Sequence, residues 1–289
     1  MANILIVGAT GRVGGGVAAI LDEAGTDYAV MSSRPDAARA RFGDVRHGDM
    51  RQADTLPAAL DGIDAAFLVT PLGPDETACG MAFLDAAEAA GVRKVVYVAI
   101  MNIEAMTEIP HFATKLPVRE RLLASGPHVV ADANFFMQND EMVAPVIGAG
   151  IYPLPIGSSG VSSVDARDVS AVCARALTSD ALDGQAVPVC GETVVTGPSA
   201  AEAYANALGR PVIYPGDDTG PFLDQMGANM PPMPQPVADW VREDFRLMME
   251  VTQAKGCRAS EAQLEACRAA LGRPPRAYVD FVAQTVAAL

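Results

Sequence analysis

The chain has 289 residues, half of them apolar and 19% charged, with a mean hydropathy of +0.20. That balance excludes a disordered polymer and supports a sizeable buried core. The formal charge of −14, from 35 acidic against 21 basic residues with no basic run, argues against a nucleic-acid partner.

In chain order, Asn3 to Val7 reads as a buried strand, and Val13 to Ala24 carries apolar residues at helical spacing. Tyr28 to Met31 is a second strand, closed by Ser32-Ser33-Arg34-Pro35. A helix begins at Pro35, and Asp44 to His47 is a short strand. Thr55 to Leu60 is helical, Ala65 to Thr70 a strand, and Asp75 to Ala90 a long helix stopped by Gly91. Arg93 to Val98, the helix Phe112 to Ala124 and the strand His128 to Ala131 follow. Strands separated by helices in this rhythm predict an α/β fold, a doubly wound, Rossmann-like parallel sheet with helices on both faces.

Beyond residue 150 proline and glycine cluster, at Pro153-Leu-Pro155 and from Gly227 to Pro236. Helical patterns recur at Arg167 to Leu177, Ser199 to Leu208, Val237 to Lys255 and Ser260 to Leu271. Ala186 to Cys190 is placed to extend the sheet, and Pro211 to Tyr214 to form a small pair. The expected division is a dinucleotide-binding domain over 1–150 and a small C-terminal substrate lobe over 151–289, partly interleaved with the sheet.

No apolar run approaches the ~20 residues that span a bilayer, and no secretory signal precedes Ile4. Five cysteines without a Cys-x-x-Cys read as reduced, mostly buried thiols, so a cytoplasmic location is expected and no membrane association. Three separated histidines argue against a catalytic zinc, and no metal is expected.

The strongest motif is Gly8-Ala9-Thr10-Gly11-Arg12-Val13-Gly14, between a predicted strand and a predicted helix at the start of the chain. The first glycine permits the turn, the second lets backbone approach a pyrophosphate, and the third lets helix lie close on strand. Free amides at the helix start would face the phosphates. Enzymes that take NAD usually place an acid after the second strand for the ribose 2′-hydroxyl. Here Ser33 and Arg34 stand there, with no acid before Asp36. A hydroxyl and a guanidinium suit a 2′-phosphate, with Arg12 projecting from the loop nearby, so NADP(H) is the expected cofactor.

The Gly-x-x-Gly-x-x-Gly spacing resembles the short-chain dehydrogenase/reductase superfamily. Further runs narrow it: Gly48-Asp49-Met50, Leu60 through Thr70-Pro71, Val95-Val-Tyr-Val98, His111-Phe-Ala-Thr-Lys115, Glu120 to Gly126, Phe136-Met-Gln-Asn139, Asp165 to Val169 and Gly272-Arg-Pro-Pro-Arg276. In this order they resemble the NmrA-like group of atypical short-chain dehydrogenases. The resemblance implies an NADP-binding sheet with a small substrate lobe. It also places Asp49 and Met50 beside the adenine, Thr70 and Pro71 along the cofactor, Lys115 by the nicotinamide ribose, and Asn134 and Phe136 near the nicotinamide. The group divides between reductases and cofactor-sensing regulators.

Carbonyl reduction needs a proton donor at the oxygen that becomes negative. The superfamily supplies it as Tyr-x-x-x-Lys on one helix, but none of the six tyrosines has lysine four residues on, and Ala99-Ile100 stand where its serine is expected. His111-x-x-x-Lys115 occupies that helix instead, in a chain with only three lysines. His111 as proton donor and Lys115 as cofactor contact are therefore the candidate catalytic pair. Asn102, Met226, Met230, Met233 and Trp240 are weaker pocket candidates. Asp165, Arg167 and Asp168 read as structural. The expected function is NADPH-dependent hydride transfer to a small, mostly apolar carbonyl, quinone, enone or imine. An NADP(H)-sensing regulator, or an isomerase or lyase of the same fold, stays open, as does a homodimer.

Overall fold

The computed structural model describes residues 4–230 and 232–289. Asn3, the expected first residue of the first strand, and Pro231 of the Pro-rich stretch lie outside the described residues. Seven strands are found among the described residues: β1 (Ile4–Val7), β2 (Tyr28–Ser32), β3 (Val45–His47), β4 (Ala65–Leu68), β5 (Lys94–Ile100), β6 (Val129–Ala133) and β7 (Ala186–Val189). The helices are α1 (Arg12–Glu23), α2 (Pro35–Ala38), α3 (Leu56–Leu60), α4 (Glu76–Ala89), α5 (Pro110–Ala124), α6 (Ala144–Gly148), α7 (Ala166–Thr178), α8 (Gly197–Leu208), α9 (Gly220–Asn229), α10 (Gln235–Lys255), α11 (Glu261–Leu271) and α12 (Tyr278–Ala287).

The strands form one sheet in the order β3-β2-β1-β4-β5-β6-β7. Ile4 pairs with both Tyr28 and Ala65, and Ala65 with Lys94, all in parallel register. The central strands β1, β4 and β5 read as short apolar runs rather than alternating ones because both faces are covered. On one face Leu5, Val7, Met31, Leu68 and Tyr97 join Phe83 of α4, Val118 of α5 and Leu60 of α3 in a single core cluster. On the other, α1 packs along α7, and α7 against β4 and β5. The close approach of α1 and α7 depends on Gly16, where a Cβ would stand 2.4 Å from the Ser170 hydroxyl. That hydroxyl donates to the Val13 carbonyl across the helix pair.

The chain divides into two compact units, 1–100 with 114–132 and 166–187, and 101–113 with 133–165 and 188–289. The division is not a single cut near residue 150. Residues 166–187 return to the sheet unit because α7 covers its face and β7 begins there, the segment from Ala186 joining the sheet as its sequence suggests.

The second unit has its own core, from Met137, Tyr152, Leu154, Tyr204, Phe222, Met249 and Phe281. At its centre the buried Asp140 carboxylate accepts hydrogen bonds from Tyr152 (2.8 Å), Tyr204 (3.1 Å) and Tyr278 (2.6 Å). The expected helices of this half appear as α7, α8, α10 and α11. Three more, α6, α9 and α12, lie where proline and glycine interrupt the periodicity or the helix is short. The Pro211 to Tyr214 stretch makes only an isolated bridge, between Ile151 and Ile213. All five cysteines are free, four of them buried. No helix among the described residues is long and apolar enough to cross a membrane, and no metal-binding cluster is found among them.

Candidate active site

The order of the sheet reverses between β1 and β4, so the carboxyl ends of these two strands border the crevice where ligands of doubly wound folds sit. The Gly8–Gly14 turn follows β1 there. Gly8 has φ +79, the left-handed region that glycine enters without strain. At Gly14 a Cβ would lie 2.4 Å from the Gly8 carbonyl oxygen, so only glycine lets α1 start this close to the strand. The Gly11 amide donates to Gly8 (2.9 Å), closing the turn. Gly8, Thr10, Gly11 and Arg12 are exposed, whereas Val13 is buried and anchors the helix. The turn therefore presents backbone at a helix N-terminus, a shape and polarity that suit a pyrophosphate.

After β2, Ser33 and Arg34 are both exposed. The Arg34 amide donates to Ser32 Oγ (3.1 Å), holding the bend, and its guanidinium has no partner among the described residues. The first acid beyond, Asp36, is held by Arg39 at 2.6 Å. After β3, Asp49 is spent locally: its carboxylate accepts from the Arg51 amide (2.9 Å), and its own amide donates to Thr55. Met50 is half-buried against the sheet core.

Thr70 and Lys115 meet in a buried network. Glu76, the first residue of α4 and fully buried, accepts from Thr70 (2.5 Å) and Thr114 (2.6 Å) and pairs with Lys115 at 2.7 Å. Lys115 also donates to Thr70 (3.1 Å), and Thr70 lies 3.1 Å from the Tyr97 hydroxyl. Burial pulls the Lys115 pKa down, but Tyr97 and Glu76 outweigh it, and the ammonium is stabilised overall. A tyrosine–lysine pair thus exists in space, the Lys115 ammonium lying 5.5 Å from the Tyr97 ring centre, although no Tyr-x-x-x-Lys exists in sequence. Tyr97 is fully buried, and burial raises its pKa, so its phenol does not stand where a substrate could take its proton. The Thr70 hydroxyl is likewise committed to protein groups, while Pro71 is half-buried.

His111 has different partners from Lys115, although both lie on α5. Its ring Nδ1 lies 2.8 Å from Asp244 Oδ2 and 2.9 Å from Oδ1, and its backbone amide donates to Oδ1 at 2.7 Å. Asp244 belongs to α10 and is fully buried. Asn134 is buried; its amide donates to the Cys257 carbonyl (2.9 Å) and its oxygen accepts from Phe135 N–H (2.7 Å). Phe136 is half-buried and bridges Val164 through its backbone. Asn102 has φ +59, a left-handed conformation that asparagine enters more readily than most non-glycine residues, and Gln263 donates to its side chain (2.9 Å). Met226 packs against the second core.

Three residues of these networks escape sequence reasoning: Glu76, Tyr97 and Asp244. Glu76 looks like an ordinary first-turn acid and Asp244 like one of several charges on a long helix. Only the paired absence of Tyr-x-x-x-Lys and presence of a lone His-x-x-x-Lys hinted that partners must come from elsewhere. A hollow at the amino edge of the sheet is lined by Ile4, Asp22, Tyr28 and Arg46 and by none of these groups.

A seven-stranded parallel sheet with a Gly-x-x-Gly-x-x-Gly turn at its switch point defines a doubly wound α/β protein of the Rossmann-like class. The NmrA-like family profile matches residues 1–270, and the chain belongs to that family. It is 34% identical to the NAD(P)H azoreductase of Xenophilus azovorans, over 99% of this chain and 98% of that protein. It is 32% identical to the (4-alkanoyl-5-oxo-2,5-dihydrofuran-3-yl)methyl phosphate reductase of Streptomyces griseus, over 97% of each. Its fold matches the crystal structure of the NADPH-dependent quinone oxidoreductase of Escherichia coli complexed with NADPH, with a TM-score of 0.82 at 18% identity, covering 98% of this chain and 99% of that one.

Proposed function

We propose that this chain is an NADPH-dependent oxidoreductase that delivers hydride to a small, mostly apolar carbonyl, quinone, enone or imine. The observation that carries the reading is the exposed glycine turn at the sheet's switch point together with an Arg34 guanidinium that has no partner among the described residues, where an NAD-specific acid would stand. The two curated relatives, both reductases by name and matched along nearly their whole length, support the same chemistry.

The residues fit the cofactor. Gly8, Thr10, Gly11, Arg12, Val13 and Gly14 would hold the pyrophosphate, Ser33 and Arg34 the 2′-phosphate, and Asp49 and Met50 the adenine side. Thr70, Pro71 and Lys115 would line the ribose-nicotinamide path, with Asn134 and Phe136 near its reactive end. For Thr70 the contribution falls to the backbone, since its hydroxyl is committed to Glu76. Bound NADPH supplies the hydride. Lys115, kept charged by Glu76 and Tyr97, orients ribose hydroxyls as a fixed donor. His111 gives the proton to the heteroatom on which negative charge develops.

The test is NADPH absorbance followed against a panel of aldehydes, ketones, quinones, enones, imines and azo dyes. The expected result is NADPH oxidation with at least one electron-poor double bond, and slower oxidation of NADH. In the same assay His111→Ala should leave NADPH affinity nearly unchanged and lower turnover about 10²-fold or more, the scale of losing a positioned acid. The buried Tyr97 and the missing Tyr-x-x-x-Lys favour one second reading, a cofactor-sensing protein. Tight NADPH binding without oxidation across the panel would select it.

A further inference from the structure

We infer that Asp244 is the positioning residue of a histidine–aspartate dyad, holding Nδ1–H of His111 on its carboxylate so that the imidazolium can give its proton from Nε2. The inference rests on the proposed reductase reading and adds to it a residue from another helix, 133 positions away in sequence.

The geometry has two parts. Pro110 and His111 open α5, and the amide of a helix's second residue has no partner within the helix. Asp244 Oδ1 takes that amide at 2.7 Å, so α10 caps α5, and the negative charge sits at the favourable end of the α5 dipole. A cap needs no more than this one oxygen. The second oxygen is turned to the imidazole, at 2.8 Å from Nδ1. An ionised carboxylate can only accept, so the nitrogen between its two oxygens must carry a hydrogen. That assigns Nδ1–H and leaves Nε2 as the atom that gains or gives the catalytic proton. The two exposures match these roles: the Asp244 side chain is 1% accessible and cannot meet a substrate, whereas that of His111 is 15% accessible.

The step balances with these atoms. Bound NADPH would supply the hydride and leave as NADP+; the new bond would form at the electron-poor atom of the substrate's double bond, and the displaced electron pair would move to the other atom. There it takes the Nε2 proton of the imidazolium: an N–H bond breaks and an O–H or N–H bond forms. The ring is left neutral with Nδ1–H still on Asp244, which stays ionised throughout. Water reloads Nε2. The role parallels that of the aspartate in serine-protease triads, which orients a histidine without taking its proton.

Replacing Asp244 by Asn tests this with little change of shape. The backbone amide of His111 still requires an oxygen, so the Asn oxygen stays there and its NH2 faces Nδ1. Nδ1 must then accept, so the ring is held in the neutral Nε2–H form, and the imidazolium, which needs an acceptor at Nδ1–H, is disfavoured as the acid. The chain has only three histidines, so a [15N]histidine-labelled sample bound to NADPH gives few ring signals, and His111→Ala assigns the relevant ones. The wild-type neutral ring is expected as Nδ1–H and that of Asp244→Asn as Nε2–H. Turnover of the best substrate of the panel should fall about 10²-fold or more in Asp244→Asn, with KM and NADPH Kd within about two-fold.

A wild-type ring in the Nε2–H form overturns the inference however the variants fold. Full turnover in Asp244→Asn beside a crippled His111→Ala overturns the positioning role and leaves the reductase reading standing. Full turnover in His111→Ala removes the proton donor and, with it, the dyad's function. Failure to oxidise NADPH with any substrate defeats the reductase reading itself, and the dyad then serves only as a helix cap.

Discussion

Arg34 stands exposed after β2 while nearby arginines are engaged: Arg39 is held by Asp36 at 2.6 Å and Arg51 by Asp75 at 2.6 Å. A guanidinium in that state gives up no existing ion pair when it meets a phosphate. Arg34→Ala is therefore expected to weaken NADPH by about 1–3 kcal/mol and NADH hardly at all, the scale of a charge-assisted hydrogen bond. Calorimetric titration of both cofactors checks this, and equal native affinities for NADPH and NADH would remove the 2′-phosphate role. Gly11 has an exposed face, and a Cβ placed on it would meet only the Gly8 carbonyl oxygen, at 3.2 Å. Gly11→Val should thus leave the sheet intact, crowd the space above the turn, and abolish NADPH binding. A folded variant by circular dichroism that binds NADPH normally contradicts the turn's assignment.

Between elements, α4 and α5 are joined by charge rather than by apolar contact alone. One turn after Glu76, Gly80 lets the helices approach, for a Cβ there would stand 2.5 Å from Val118. That approach lets Glu76 reach Thr114 and Lys115 together. Glu76→Ala would leave a nearly buried ammonium with only hydroxyl partners. Breaking a buried pair from one side costs about 3–5 kcal/mol, so the urea midpoint should drop sharply. Glu76→Gln, which keeps the shape and one acceptor, should cost less. Cofactor binding should weaken in both variants if Lys115 orients the ribose, which titration of the folded fraction measures.

Across the whole molecule, Asp140 is one group through which acidity reaches stability. Burial pushes its carboxyl up to about 6, against the three tyrosine hydrogen bonds that favour the charged form. Because the folded value lies above the unfolded one, the folded chain keeps a proton that the unfolded chain has already released. The contribution of this carboxyl is fully favourable below the unfolded value of 3.8 and is lost as pH rises through about 6. The loss is roughly 3 kcal/mol at most. Asp140→Asn cannot titrate, so its stability relative to wild type should rise between roughly pH 4 and pH 7, read from urea midpoints. A relative stability that is flat over that range would mean that Asp140 is not perturbed.

The sequence by itself determined the parallel sheet, its glycine turn, the missing acid after β2 and the family, because these depend on local patterns: apolar runs bounded by glycine and proline, and residue types at short fixed spacing. Ala186–Val189 was legible as a strand for the same reason, whereas Val45–His47 was legible only from its place in the alternation of strands and helices. Tertiary structure alone decided which groups surround His111 and Lys115. Asp244 lies 133 residues from His111 and Glu76 lies 39 from Lys115, and nothing in either one's neighbourhood marks it as different from a solvated acid. Chain folding sets these distances through helix packing, as at Gly80 against Val118, where side chains far apart in sequence fix how closely two helices approach. The same holds for Asp140, whose three tyrosines come from a loop and two helices, and whose raised pKa follows from a burial that no local pattern encodes.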